Sequence, residues 1–86
     1  METPARRTSR AYWATAYKRF RERLVDARER AGLTQREAAE RLGRSQSFVA
    51  KSENGERRVD VVELLEFAKV YDRPLSYFVA GVAHKR

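Results

Sequence analysis

The chain has 86 residues, enough for one compact domain with a modest core, and too few for a catalytic domain with a deep cleft beside a second module. Nineteen Lys and Arg against twelve Asp and Glu give a formal net charge of +7 and a pI of about 10.4. This charge favours a polyanionic partner, among which nucleic acid is the first candidate. The absence of cysteine excludes disulfides, thiolate metal ligands and thiol nucleophiles.

The chain order suggests one domain between two short tails. Residues 1–9 are basic, and we expect a flexible segment there. Together with Arg10 they would form either a minor-groove arm or a solvated tail. Residues 10–82 carry the helical patterns, and 83–86 form a C-terminal tail. Neither a signal-peptide core nor a membrane-length apolar run occurs, so we expect a cytoplasmic protein without a membrane partner.

A long first helix is predicted by apolar residues at alternating steps of four and three. They are Trp13, Tyr17, Phe20, Leu24, Ala27 and Ala31. Thr8 or Ser9 would cap this helix, and Gly32 would end it. We expect its aromatic residues in the core or in a subunit contact, and favour this over a base-stacking platform.

Two short helices should follow, joined by a tight glycine turn. Thr34 and Glu37 have capping-box spacing, and Gly43 would end the second helix. Ser45 would cap the third. The residues expected to face inward are Ala38, Ala39, Leu42, Phe48 and Val49. Those expected to face outward are Gln46, Ser47, Ala50, Lys51 and Asn54.

Two further helices complete the predicted fold. Asp60 and Glu63 repeat the capping-box spacing, and Asp72-Arg73-Pro74 would break the fourth helix. Its expected core residues are Val61, Leu64, Leu65 and Ala68, with Val62 or Phe67. Pro74 suits the first position of a fifth helix. The core stripe expected there is Leu75, Phe78, Val79 and Val82. Since no period-two strand pattern appears, the prediction is an all-α fold of five helices with an extended first helix.

The polar front of the third helix is suited to reading bases in the major groove. Gln46 can pair with adenine N6 and N7, Ser47 can donate or accept, and Lys51 can reach guanine or a phosphate. Ala50 leaves room for a thymine methyl group. Phe48, at the edge of the helix, is expected to pack rather than touch DNA.

Phosphate contacts are expected on both sides of this helix. Gln35 and Arg36 begin the second helix, and Arg57 and Arg58 lie in the loop after the third, where the alternative is a solubilising charged loop. The predicted DNA-binding set is Gln35, Arg36, Arg44, Ser45, Gln46, Ser47, Ala50, Lys51, Asn54, Arg57 and Arg58.

From Leu24 to Phe78 the chain resembles the lambda and 434 repressor-like helix-turn-helix family, also called Xre or Cro/C1 type. The matching residues are Gly32-Leu33-Thr34-Gln35, Ala39, Leu42-Gly43, Ser45-Gln46-Ser47, Val49 and Glu53-Asn54-Gly55. The resemblance implies a compact DNA-binding domain. It also implies a homodimer on double-stranded DNA with a palindromic operator, acting in transcription regulation as a repressor.

The resemblance also implies roles for single residues. Gln35 would bind phosphate and buttress Gln46, and Asn54 would offer its amide to phosphate. Arg28 and Glu53 would form a partly buried structural ion pair. Ser52 departs from the family pattern, which has a bulky apolar core residue there. Trp13 or Tyr17 could supply the missing volume.

The sequence does not indicate an enzyme, because its carboxylates alternate with Arg and Lys, as is typical of surface ion pairs. There is no glycine-rich phosphate loop, metal-ligand cluster or nucleophile with a histidine partner, so we expect no enzyme, no cofactor and no metal. The alternative function is an antitoxin or adaptor-type protein-interaction module, with a protein partner such as a toxin. This alternative is supported by the aromatic residues of the first helix together with Tyr77 and Phe78.

Overall fold

The computed structural model describes residues 4–80, with side chains from Arg10 onward. Within these residues five helices follow one another. They are α1 (Pro4–Arg30), α2 (Gln35–Leu42), α3 (Gln46–Asn54), α4 (Val61–Tyr71) and α5 (Leu75–Val79). No strand occurs within residues 4–80. The predicted all-α architecture with a long first helix is confirmed.

The first helix begins earlier than the sequence suggested. It starts at Pro4, so the expected cap at Thr8 or Ser9 is wrong. Proline suits a first turn because the amide hydrogen that it lacks would have no partner inside the helix. Gly32, with φ of 75°, follows the last turn as predicted, and its N–H donates to the carbonyl of Glu29.

From Ala16 onward α1 contributes to the core. Phe20, Leu24 and Ala27 are buried as predicted, whereas Ala31 is exposed and Trp13 keeps 58% of its surface. Trp13 is therefore not a core residue. We call residues 10–18 of α1 the overhang. It contributes to a molecule with dimensions of 50 × 23 × 19 Å.

The starts and ends of α2 and α3 follow the predicted capping signals. The Thr34 hydroxyl accepts from the N–H of Glu37 at 3.0 Å, and the Glu37 carboxylate accepts from the N–H of Thr34 at 2.9 Å. Gly43 has φ of 70°, a left-handed conformation that glycine adopts without strain. The Ser45 hydroxyl then accepts from the N–H of Phe48 at 3.1 Å. These caps set the angle at which α3 leaves α2.

The fourth helix is capped as predicted, and part of its predicted core set is buried. Phe67 and Ala68 are buried, and Leu64 is partly buried against the core. Asp60 and Glu63 form the capping box. Phe67 and Tyr71 are fully buried, while Val61 is 74% exposed and Leu65 is 48% exposed. The prediction of Val61 and Leu65 as core residues is therefore wrong. At 100° per residue these two are centred about 120° around the helix from the face that carries Phe67 and Tyr71.

The fifth helix is too short to bury a stripe. Pro74 precedes it as the cap residue instead of occupying its first helical position. Phe78 is fully buried, but Leu75 and Val79 are 43% and 42% exposed, so their predicted place in the core is wrong. The fourth member of the stripe, Val82, lies outside the described residues. Asp72, with φ of 56°, ends α4 at the predicted break.

All five helices contribute to one core. Its fully buried members include Leu24 from α1, Ala38 from α2, Val49 from α3, Phe67 from α4 and Phe78 from α5. Val49 lies on the inner side of α3 and fixes which side of that helix faces solvent.

Candidate nucleic-acid interface

The amino end and outer face of α3 are open to solvent. Gln46, Ser47 and Lys51 are exposed, and Ala50 beside them is half-buried. None of the three exposed side chains makes a hydrogen bond or ion pair with another residue in the described range. Their donors and acceptors are therefore available, as contact with base edges requires.

A buried charge pair fixes α3 relative to α1 and α2. Arg28 donates to both carboxylate oxygens of Glu53, from Nε at 2.7 Å and from Nη2 at 3.1 Å. The hydrogen bond to Glu53 raises the pKa of Arg28 above its ordinary value. Arg28 also donates to the carbonyl of Leu33 at 2.8 Å. The ion pair implied by the resemblance is present, and it holds together the start of α2 and the end of α3.

Gln35 belongs to the same network. Its amide nitrogen donates to Glu53 Oε1 at 2.9 Å, rather than to Gln46 as the resemblance implied. Gln35 therefore buttresses the carboxylate of Glu53 and not a base-reading side chain. Arg36, the next residue, is exposed at the start of α2 and is free to point outward.

Phe48 lies against two arginines of the predicted DNA-binding set. The guanidinium carbons of Arg44 and Arg57 each lie 4.5 Å from the centroid of its ring. The ring also stacks on Phe67, with centroids 5.7 Å apart and planes inclined by 13°. Phe48 is therefore a packing residue, as expected. It also holds the guanidinium groups of Arg44, which precedes α3, and of Arg57, which follows it.

Both arginines also bind carboxylates of α4, which the sequence reasoning missed. Arg57 donates to Glu63 at 3.0 and 2.9 Å, and Arg44 donates to Glu66 at 3.1 and 3.2 Å. The hydrogen bond from Arg57 holds the pKa of Glu63 below its ordinary value, and the same bond raises the pKa of Arg57. Arg57 therefore ties the loop after α3 to the start of α4. The signal that could have found this pair is the capping residue Glu63 only six positions away.

Arg58 points the other way, towards α1. Its guanidinium lies 4.1 Å from the ring centroid of Tyr17, and it pairs with no carboxylate among the described residues. The Tyr17 hydroxyl accepts from the N–H of Val59 at 3.1 Å. The α1 overhang thus supports the loop after α3, and Arg58 keeps its charge available for an anion.

Arg21 is a second α1 residue that sequence reasoning missed. It donates from Nη1 to the carbonyl of Glu53 at 3.1 Å, at the end of α3. Gly55 follows with φ of 89°, and the Arg21 guanidinium would lie 3.1 Å from a Cβ at that position. Gly55 is therefore favoured by its backbone conformation, and a side chain there would also displace the Arg21 guanidinium slightly.

Ser52 and Asn54 both have partners inside the protein, and the phosphate contact of Asn54 stays a prediction. Ser52 is fully buried, and its hydroxyl faces Arg57 Nη1 at 3.5 Å. Since Trp13 is exposed, it does not fill the space beneath Ser52. Asn54 Oδ1 accepts from the N–H of Glu56 at 2.9 Å, so this side chain shapes the turn after α3.

Over the residues that the structure describes, no group of three or more His, Cys, Asp or Glu side chains could hold a metal ion. No helix in that part of the chain is long and apolar enough to span a membrane.

Comparison with known proteins agrees with this geometry. A family model described as a helix-turn-helix domain matches residues 19–76. A solved structure, an XRE-family like protein from Pseudomonas syringae pv. tomato str. DC3000, is similar with a TM-score of 0.80 and 37% sequence identity. The similarity covers 87% of this chain and 92% of that one, so it extends beyond the domain match. A comparison with curated proteins finds no match.

Proposed function

The chain belongs to the XRE-type helix-turn-helix family of DNA-binding regulators, and on that premise we propose that it is a cytoplasmic transcriptional repressor that reads a palindromic operator as a homodimer. The observation that carries the proposal is the outer face of α3. Gln46, Ser47 and Lys51 are exposed and have no partners in the described range, while Val49 on the opposite side is fully buried. The core thus holds a polar, solvent-facing helix surface in place.

The phosphate contacts in this proposal flank that surface. Arg36 and Gln35 lie at the amino end of α2, where free backbone amides also favour an anion. Arg58 lies beyond the other end of α3 and has no carboxylate partner in the described part of the chain. Arg44 and Arg57 add positive charge beside α3, although each is partly neutralised by Glu66 or Glu63. Asn54 contributes by shaping the turn that carries Arg57 and Arg58.

The proposed dimer contact is an apolar patch on α4. Val61, Val62 and Leu65 are 74%, 63% and 48% exposed, and they follow directly on the loop that carries Arg58. Contiguous exposed apolar side chains often mark protein contacts, and a twofold contact uses the same patch on both copies. Two copies joined near this loop would place their α3 helices in successive major grooves. The half-sites of the operator would then be about 34 Å, or about ten base pairs, apart.

Selection of bound duplexes from a random library tests the proposal most directly. We expect a consensus with inverted-repeat symmetry at that spacing, and binding that weakens steeply with salt. Enrichment of a single, asymmetric half-site would contradict the homodimer. No enrichment at all would contradict sequence-specific reading.

A protein-interaction function on the same scaffold, of the antitoxin or adaptor type, is the second candidate. The observation that favours it is the exposed aromatic surface of the α1 overhang, where Trp13 is 58% exposed and lies edge-on to Tyr12, with ring centroids 4.6 Å apart. DNA reading by α3 does not use this surface, so the two functions can coexist in one chain.

A further inference from the structure

A groove runs between the α1 overhang and α5. Its volume is about 570 Å³. Its walls are mainly apolar and include Trp13, Tyr17, Phe20 and Val79, together with the basic side chains of Arg10 and Arg58. A concave apolar surface of this size is suited to receiving two or three apolar side chains. Charged phosphate groups would gain nothing from contact with its apolar walls.

The charge around the groove argues against a second copy of the chain as its occupant. Of the described side chains that line it, Arg10 and Arg58 are basic and none is acidic. Two such grooves brought together would place like charges against each other. Arg10 and Arg58 also lack a carboxylate partner among the described side chains, so an occupant that supplies carboxylates would complete both.

We propose that this groove binds an apolar, acidic segment of a partner protein, whose carboxylates pair with Arg10 and Arg58. Such binding would also weaken DNA binding, because a carboxylate on Arg58 removes a charge that otherwise meets phosphate. The expected effect on DNA binding rests on the proposed function, in which Arg58 contacts phosphate. The groove is thus a site at which a protein partner releases the regulator from DNA.

The test uses a library of random dodecapeptides displayed on phage and selected on the intact protein. We expect the enriched peptides to combine large apolar residues with Asp or Glu. A selected peptide should bind the Val79→Asp variant about tenfold more weakly, because Val79 lines the groove. The matched control is Ser76→Asp, which adds the same charge to an exposed position of α5 outside the groove lining and should leave affinity within about twofold.

The coupling between peptide binding and DNA binding is measured with a duplex of random sequence, so that the measurement does not depend on knowing an operator. Saturating peptide should weaken DNA binding, and DNA should weaken peptide binding by the same factor. If the peptide binds the groove without this effect, the shared role of Arg58 is wrong while the docking site stands. If the chain binds no DNA, the proposed function fails separately.

Three outcomes would overturn the docking site itself. Enriched peptides without acidic residues, or peptides that bind Val79→Asp as tightly as Ser76→Asp, would show that the groove is not the site. Self-association in sedimentation that Val79→Asp abolishes would identify the occupant as a second copy.

Discussion

At the scale of single residues, Glu53 is the carboxylate on which the placement of α3 depends. Its side chain accepts from Arg28 and Gln35, its backbone carbonyl accepts from Arg21, and its residue surface is only 7% exposed. A buried cation that loses its partner is costly because neither water nor another anion replaces it. Glu53 is thus a stability residue inside the motif, although its neighbours on α3 face DNA.

The first prediction follows from this burial. Glu53→Gln should lower the free energy of unfolding by about 3 kcal/mol, because Arg28 keeps its charge without a counter-ion. Urea denaturation measures the change. The control is Glu66→Gln, whose pair with Arg44 has side chains 35% and 37% exposed and should cost about 0.5 kcal/mol or less. Equal losses in the two variants would contradict the role assigned to Glu53.

The second prediction separates base reading from phosphate binding. Lys51→Ala should weaken operator binding by about 1–3 kcal/mol and relax the consensus near that side chain. Arg58→Ala should weaken operator and random DNA alike, and should reduce the slope of log affinity against log salt by about one. Fluorescence anisotropy over a salt series distinguishes the two. If Lys51→Ala behaves like Arg58→Ala, Lys51 contacts phosphate only.

At the scale of helices, the caps could be predicted from sequence because their partners lie three residues apart. Thr34 with Glu37 and Asp60 with Glu63 needed no tertiary information. The exposure of Val61 and Leu65 could not be predicted, because apolar residues occur on more than one side of α4 and only packing against the other helices selects the buried side. The contact of Arg57 with Phe48 was equally hidden, since only folding brings the guanidinium group to that ring.

The third prediction uses two serines of the same motif. Ser45 caps α3, whereas Ser47 is exposed and bonds to no other residue in the described range. Ser45→Ala should therefore lower the stability of the domain by about 1 kcal/mol. Ser47→Ala should leave the unfolding curve unchanged but alter the selected base sequence. Thermal denaturation and duplex selection together check both, and a stability loss in Ser47→Ala would show that this serine is structural.

The fourth prediction concerns the pH dependence of the start of α4. The pKa of Glu63 is lowered in the folded state, so its contribution to stability is present above the ordinary value of 4.5 and is lost as the pH falls below it. Glu63→Gln keeps a residue suited to the capping box but removes the charge opposite Arg57. The variant should be less stable than the native chain at neutral pH, and the two should converge on acidification. Parallel profiles from urea midpoints between neutral and acidic pH would contradict the ion pair.

At the scale of the whole molecule, two exposed apolar regions lie on different helices. The patch on α4 is Val61, Val62 and Leu65, and the groove beside the α1 overhang includes Trp13 and Val79. The overhang could be predicted as helix from its apolar spacing. Its exposure could not, because exposure depends on where α3, α4 and α5 end. A chain of this size with two such regions has surface for both a second copy and a different partner.

The last prediction assigns the dimer contact to α4 by comparing two leucines. Leu65 and Leu75 are 48% and 43% exposed, so replacing either by Asn should cost little stability. Leu65→Asn should weaken binding to a duplex with two half-sites, because it removes apolar area from the proposed contact between copies. It should leave binding to a single half-site unchanged, and Leu75→Asn should alter neither. Gel-shift titrations on both duplexes make the comparison. If Leu75→Asn instead loses binding to the duplex with two half-sites, the contact between copies lies on α5. If Leu65→Asn loses binding to the single half-site, α4 supports DNA binding within one copy.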